Sequence, residues 1–169
     1  IWLFLSVPER TDGAMPEPLA AQWAGVRQVF ASAHFWRFAP LGLTLVGGFM
    51  AVQSLWSVSW LMQVNGYARA VAAAHMAGMS AAMLIAYLLI GLLATGLARR
   101  GIKPLMLLAA GLGLSLLTLA LIVTQAVEHT YLLWIAYGSF SSFGTLAYSQ
   151  AAAGFAVALS GRANTAFNL

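Results

Sequence analysis

The sequence predicts an all-α, polytopic membrane protein with about four full transmembrane helices and partial helices at both ends. Two properties of the composition indicate this fold class: 62% of the residues are hydrophobic and 7% are charged. Soluble domains carry about a quarter charged residues. A third observation is the distribution of the cationic residues, which concentrate in the loops on one side of the predicted bundle, as membrane orientation requires.

Several functional classes are excluded by the same composition. The net charge of +4 is spread over single residues and one short loop, which is not the basic stripe of a nucleic-acid-binding protein. The absence of cysteine excludes disulfides and thiolate chemistry. We predict that the chain is not an enzyme and holds no cofactor, because the apolar segments contain no paired carboxylates and no clustered histidines. Glu128 and His129 are adjacent in a short loop and are expected to be solvated.

The first 35 residues are predicted to lead into the membrane part. Residues 1–8 are expected to end a transmembrane helix, and residues 9–35 to form a central cytoplasmic loop. Leu19, Trp23, Val26 and Phe30 share one helical face, which favours an amphipathic helix in the membrane interface. An ordinary helix packed on protein is the alternative. Both ends of the sequence fall within apolar runs that are typical of helices, so we expect an internal piece of a longer membrane protein.

Residues 36–160 are predicted to hold four membrane spans. Span A covers 38–64, span B 71–97, span C 105–124 and span D 131–159, and residues 161–169 form a loop and the start of a further helix. Each span exceeds the roughly 20 apolar residues that cross a hydrocarbon core. None contains Asp, Glu, Lys or Arg in its interior, in accordance with the cost of placing charge in lipid.

The cationic residues predict the orientation. The side with the N-terminal loop carries seven of them, Arg10, Arg27, Arg37, Arg99, Arg100, Lys103 and Arg162, and the opposite side carries Arg69. The positive-inside rule places the first side in the cytoplasm. We therefore predict an integral membrane protein whose N-terminal loop is cytoplasmic, with the lipid bilayer as its first partner.

Span A has a face that is both polar and aromatic, formed by Gln53, Trp56, Ser57 and Trp60. Polar groups in hydrocarbon need partners, so this face is predicted to line a cavity. Trp60 alone is also compatible with an aromatic-belt anchor. Gly47 and Gly48, just before this face, are expected to loosen the helix.

Span D has a similar character, because Tyr137, Ser141, Thr145 and Tyr148 share a face. Hydrogen bonding between helices is the alternative to a cavity here. Spans A and D lie three helices apart, so their likeness indicates a structural repeat of three helices in which the first helix of each triple lines the path.

Span B is predicted to serve helix packing, and span C, which is nearly all Leu, Ala and Gly, is predicted to face lipid as a supporting helix. Ala74, Gly78, Ala82 and Ala86 form a small-residue ridge on span B, and Gly111 and Ser115 allow span C one close neighbour. His75 of span B is interpreted either as a proton relay or substrate contact, or as a solvated residue at the membrane interface.

The turn between spans B and C resembles the signature cytoplasmic loop of the major facilitator superfamily. Gly91, Arg99, Arg100, Gly101 and Lys103 match its glycine and cationic positions. The stretch from Gln53 resembles the seventh helix of bacterial members, and the stretch from Gly161 resembles the start of the eleventh. Thr95 and Gly96 stand where the family has Asp and Arg, so the family's acidic latch cannot form through Thr95 in the same way.

The resemblance implies helices seven to ten of a secondary transporter that moves a small-molecule substrate by alternating access, and the likeness to bacterial members implies a location in the bacterial inner membrane. The remaining helices of the same chain would be its partners, and Arg99, Arg100 and Lys103 would anchor a cytoplasmic gate. Coupling to an ion or proton is left open, since no carboxylate lies in the spans. A non-transporting scaffold, or a subunit of a channel complex, is the alternative.

Overall fold

A computed structural model describes residues 18–167, and within this range every regular element is a helix. Three of these helices are long and apolar enough to cross a membrane. The all-α prediction is therefore confirmed, and the helices are compatible with an integral membrane protein. The helix end predicted at 1–8, the acidic part of the loop at 9–17, and residues 168 and 169 lie outside the described residues.

The chain forms seven helices over the described range. They are α1 (Leu19–Phe30), α2 (Ala33–Gln63), α3 (Arg69–Arg99), α4 (Pro104–Val123), α5 (Tyr131–Ser141), α6 (Leu146–Ala152) and α7 (Val157–Phe167). Two π-turns, Leu43–Gly47 and Val52–Trp56, interrupt α2. A 3₁₀ turn, Ser142–Thr145, joins α5 to α6. The loosening expected near Gly47 is confirmed by the first π-turn.

The helices α2, α3 and α4 correspond to spans A, B and C. The prediction of one unbroken span D over 131–159 is wrong at its end, because α6 stops at Ala152 and α7 begins at Val157. Residues 161–167 accordingly belong to a helix rather than to a loop. The composition did not indicate this break between α6 and α7, because the residues around it are small and apolar. In the structure, His34 Nε2 lies 3.0 Å from the carbonyl oxygen of Gln150 in the last turn of α6.

Helix α5 packs between α3 and α4, and glycines set both contacts. Gly138 of α5 faces Met79 of α3, and Gly111 of α4 faces Phe143 just beyond α5. The buried residues of α4 lie on one face, Leu108, Gly111, Ser115, Thr118 and Ile122. The prediction that α4 has one close neighbour is thus confirmed.

One end of the bundle gathers α1, α7 and the start of α2, and we call it the cationic end. Gly25 of α1 lies against the side chain of Arg162 of α7, and Val29, Phe35 and Ala163 form a small buried cluster. The predicted apolar face of α1 is largely free of protein, with Leu19 75% and Trp23 72% exposed. Helix α1 therefore packs on protein through one face and leaves its apolar face open.

Candidate functional site

The second π-turn of α2 divides the polar face that the sequence predicts. A π-turn adds one residue to a turn and rotates the following residues by about 100° relative to an uninterrupted helix. Gln53 and Trp56 lie within the turn, and Ser57 and Trp60 follow it. The four residues therefore do not form one continuous face.

Gln53 and Trp56 lie on the open side of α2. Trp56 is 66% exposed, and its neighbours Ser54 and Leu55 are also exposed. The Gln53 side-chain amide donates a hydrogen bond to Ser80 Oγ of α3 at 3.3 Å. The amide thus joins two spanning helices at the edge of the packed region, where a further group can still reach it.

Ser57 and Trp60 point into the protein. Ser57 is fully buried, and its hydroxyl donates to the carbonyl oxygen of Gln53 at 2.7 Å. This bond supplies a partner to a carbonyl within the disturbed backbone of the π-turn. The indole nitrogen of Trp60 is buried without a hydrogen-bond partner among the described residues. Ser57 therefore belongs to the interior, and Trp60 is partly buried against the core.

The predicted polar residues of span D contact three different neighbours. Tyr137 is 4% exposed and packs on Phe49 of α2 with ring centroids 5.5 Å apart. The hydroxyls of Ser141 and Ser115 of α4 lie 2.8 Å apart, and Tyr148 packs on Phe167 of α7 at 4.9 Å. Tyr137 and Ser141 are in side-chain hydrogen-bond contact with each other, whereas Tyr148 packs against α7.

Most serine and threonine hydroxyls of span D bond to carbonyls of their own chain segment. Ser139 donates to the Ile135 carbonyl at 2.9 Å, Ser142 to that of Gly138 at 2.9 Å, and Thr145 to that of Ser142 at 2.9 Å. Such back-bonding gives a hydroxyl a partner without any cavity. The presence of these serine and threonine residues therefore does not by itself indicate a water-exposed face.

His75 lies in an aromatic cluster at the end opposite to the cationic end. It is 8% exposed, its Nδ1 lies 2.8 Å from the Val71 carbonyl oxygen, and its ring packs on Tyr67 at 5.1 Å and Tyr131 at 4.9 Å. The interpretation of a solvated interfacial histidine is wrong, because the aromatic rings bury it.

Sequence reasoning missed a set of buried polar atoms at this opposite end. Within residues 18–167, four buried side-chain atoms have no hydrogen-bond partner: Trp60 Nε1, Asn65 Oδ1, Thr130 Oγ1 and Trp134 Nε1. They lie where α2 ends and where α5 begins. Buried polar groups are normally bonded, so these atoms are candidates for polar contacts. The sequence pattern of span A pointed to Trp60, whereas no pattern pointed to Asn65, Thr130 or Trp134.

The cationic turn is compact and regular. The Ile102 amide bonds the Leu97 carbonyl at 3.0 Å and the Gly101 amide bonds that of Ala98 at 3.0 Å, which is a Schellman motif. Gly101 has φ +82°, a backbone conformation that glycine adopts without the steric cost that other residues have. Pro104 then opens α4 directly after Lys103.

Gly91 does not belong to this turn. It lies inside α3, and a Cβ atom there would meet nothing within 4 Å. The side chains of Arg99, Arg100 and Lys103 are exposed around the turn. Only the last part of the matching stretch, Arg99 to Lys103, therefore forms the cationic surface.

No three His, Cys, Asp or Glu side chains of the described residues lie together in a way that could hold a metal ion. Comparison of the chain with protein-family models, with curated proteins and with solved structures finds no match. The resemblance to the major facilitator superfamily therefore stays a prediction that rests on the residues of three short stretches.

Proposed function

We propose that the chain forms part of a secondary transporter that moves a small solute across a membrane by alternating access. In this proposal the solute passes along the open side of α2 and contacts Gln53 and Trp56. The observation that carries the proposal is a polar amide on the open side of an apolar spanning helix, at the position where the backbone of that helix is interrupted.

Interrupted helices support this function for a physical reason. Irregular backbone at membrane depth is tolerated where it is buried in protein or lines a water-filled cavity. Secondary transporters place their binding sites at such discontinuous helices, and π-turns are frequent at functional sites. The turn at Val52–Trp56 has exposed side chains on one side, which favours a cavity there.

The distribution of the interruptions supports the repeat predicted from the sequence. Helix α2 contains two π-turns and the α5–α6 segment contains a 3₁₀ turn, whereas α3 and α4 are regular over 31 and 20 residues. The first helix of each predicted triple, α2 and the α5–α6 segment, is thus irregular. The second and third helices of the first triple, α3 and α4, are regular. This pattern fits helices seven to ten of a twelve-helix transporter.

The remaining predicted residues take supporting roles in the proposal. The cationic end is anchored at the cytoplasmic surface by Arg99, Arg100 and Lys103. The buried Ser57 hydroxyl stabilises the π-turn through its hydrogen bond to the Gln53 carbonyl. Proton or ion coupling through this part of the chain would involve His75, because the single carboxylate within residues 18–167 is Glu128, in the loop between α4 and α5.

A non-transporting scaffold or channel subunit is the second candidate. The bonds of Ser141 to Ser115 and of Ser142 to the Met83 carbonyl favour it, because they use polar groups to join helices. In this alternative the open side of α2 binds another protein and never becomes wet.

Uptake into proteoliposomes tests the transporter proposal. A panel of radiolabelled sugars, amino acids and organic cations is screened with the wild-type protein, and the transported solute is then used with Gln53→Ala. We expect its KM to rise by about tenfold, since losing a buried polar contact costs about 1–3 kcal/mol.

The matched control is Ser80→Ala, which removes the same interhelical hydrogen bond and leaves Gln53 in place. It should leave the KM within about twofold of the wild-type value. Equal effects of Gln53→Ala and Ser80→Ala would assign Gln53 to helix packing, and wild-type protein that transports no solute of the panel would favour the scaffold.

A further inference from the structure

We propose that the bundle carries a site for one anionic phospholipid, with the acyl chain in a groove along α3 and the headgroup at the cationic turn. This inference concerns the surface of the bundle and is independent of the transported solute. It requires that the chain is embedded in a membrane.

The groove is apolar along nearly its whole length. It has a volume of about 400 Å³ and is lined by the second half of α3, from Ala82 to Leu97, together with Leu107 of α4 and with Phe140 and Phe143 of the α5 segment. Ser139 is the one hydroxyl-bearing residue of the lining, and its hydroxyl is already bonded to the Ile135 carbonyl. The groove thus offers an occupant contact surface but no free polar partner.

The cationic turn lies at one end of this groove. Leu97 is the last lining residue of α3, and Arg99 and Arg100 lie two and three residues after it. Leu107 lies one turn of α4 beyond Lys103. All three cationic side chains are exposed, and the single carboxylate of residues 18–167, Glu128, belongs to the loop at the opposite end. An apolar groove that ends at three cations matches the shape and charge of an anionic lipid.

The length of the groove agrees with one leaflet of a bilayer. Ala82 and Leu97 are separated by about 22 Å along a helix that rises 1.5 Å per residue. Half of a hydrocarbon core of about 30 Å is about 15 Å. An acyl chain that starts at the level of Leu97 therefore remains within the groove over the full depth of its leaflet.

Two alanines make the groove deep enough for a chain. Ala86 and Ala94 lie on its α3 wall and are half-buried, whereas the neighbouring leucines of the outer face, such as Leu92 at 77%, are exposed. A lipid on the outer face contacts a convex helix. A lipid in the groove contacts three helices, so it is held by more contacts than a lipid on the outer face.

Native mass spectrometry of the detergent-solubilised full chain tests the site. Phosphatidylglycerol and, separately, phosphatidylcholine are titrated, and the bound lipids are counted. We expect one phosphatidylglycerol site that is clearly tighter than any phosphatidylcholine site. Replacing the three cations together (R99Q, R100Q and K103Q) should weaken phosphatidylglycerol binding about 100-fold, since each cation near an anionic surface contributes about a fivefold factor.

Two controls separate this site from general attraction. The triple variant R27Q, R37Q and R69Q removes the same charge from exposed positions away from the turn and should leave binding within about twofold. Ala86→Phe fills the groove and should abolish the tight site, whereas Ala81→Phe, at an exposed position of α3 outside the groove lining and about 7.5 Å away along the helix axis, should preserve it.

Three results would overturn the proposal. Equal binding of both lipids would remove the role of the cations. Equal losses in the two triple variants would reduce the effect to net charge. Tight binding that survives Ala86→Phe, or wild-type protein that retains no lipid, would show that the groove is not the site and favour its coverage by another helix or a second copy.

Discussion

Single glycines determine how closely the helices of this bundle approach one another. A Cβ atom on Gly138 would lie 2.9 Å from the backbone oxygen of Met79 and 2.6 Å from its Cγ. The backbone cannot move aside as a flexible side chain can. The contact between α5 and α3 therefore depends on the absence of a single carbon atom.

Gly138→Ala is expected to lower the free energy of unfolding by about 1–3 kcal/mol, because overpacking forces the helices apart. Gly91→Ala is the matched control, since its Cβ would lie in open space within α3 and alanine favours the helix by about 0.5–1 kcal/mol. Thermal or SDS unfolding of the purified protein measures both. A Gly138→Ala protein as stable as wild type would contradict the close contact.

At the scale of residues, the sequence predicts close helix contacts better than it predicts the hydrogen-bond partners of polar side chains. The small-residue pattern of Gly111 and Ser115 correctly predicted one close neighbour for α4. Of the four residues predicted to mark a polar face on span D, Thr145 bonds to a carbonyl of its own segment, as do its neighbours Ser139 and Ser142. A serine satisfies itself within a helix through a local bond that leaves no trace in the spacing of the sequence, so its partner could not be predicted.

The irregular turns are the main feature at the scale of the helix. Helical periodicity assumes 3.6 residues per turn, and a single π-turn shifts every later residue to another face. Span A was predicted from an uninterrupted helix, so its extent was nearly right and its single polar face was wrong. Gly47 and Gly48 signalled the first π-turn, whereas no glycine lies within the second, Val52–Trp56.

Deleting Leu55 should convert the second π-turn into a regular turn and leave both flanks of α2 in place. Leu55 is 70% exposed, so we expect the free energy of unfolding to change by no more than about 1 kcal/mol. The control is deletion of Ala77, exposed in a regular part of α3. That deletion rotates Met79 out of the core and should cost about 2–5 kcal/mol.

Chemical denaturation of the two deletion variants measures this difference. If deletion of Leu55 is as damaging as deletion of Ala77, residues 52–56 are not an inserted turn, and the separation of Gln53 from Ser57 loses its physical basis.

At the scale of the whole molecule, the helical class and three spanning helices followed from composition and segment length. The fold of the chain after Ala152 did not, because α6 and α7 are joined by small apolar residues that also occur inside spans. The return of this segment to α1 and α2 is visible only in tertiary contacts, such as that between Gly25 and Arg162 and that between His34 and Gln150.

The candidate site was predicted as one cavity, and the structure divides it. Gln53 and Trp56 remain on an open side, Ser57 and Tyr137 are buried, and Ser141 joins two helices. His75 lies in an aromatic cluster at the other end of α3. Sequence spacing places residues on a helix, but the neighbour that covers each residue depends on packing between distant segments.

Thiol accessibility tests most directly whether the open side of α2 lines a water-filled path. The chain has no cysteine, so single cysteines at positions 53 and 56 can be probed in membranes with a membrane-impermeant thiol reagent. Positions 57, fully buried, and 92, exposed on an apolar face, serve as controls. The proposed path predicts labelling at 53 and 56 and protection at 57 and 92, whereas protection at all four positions would contradict it.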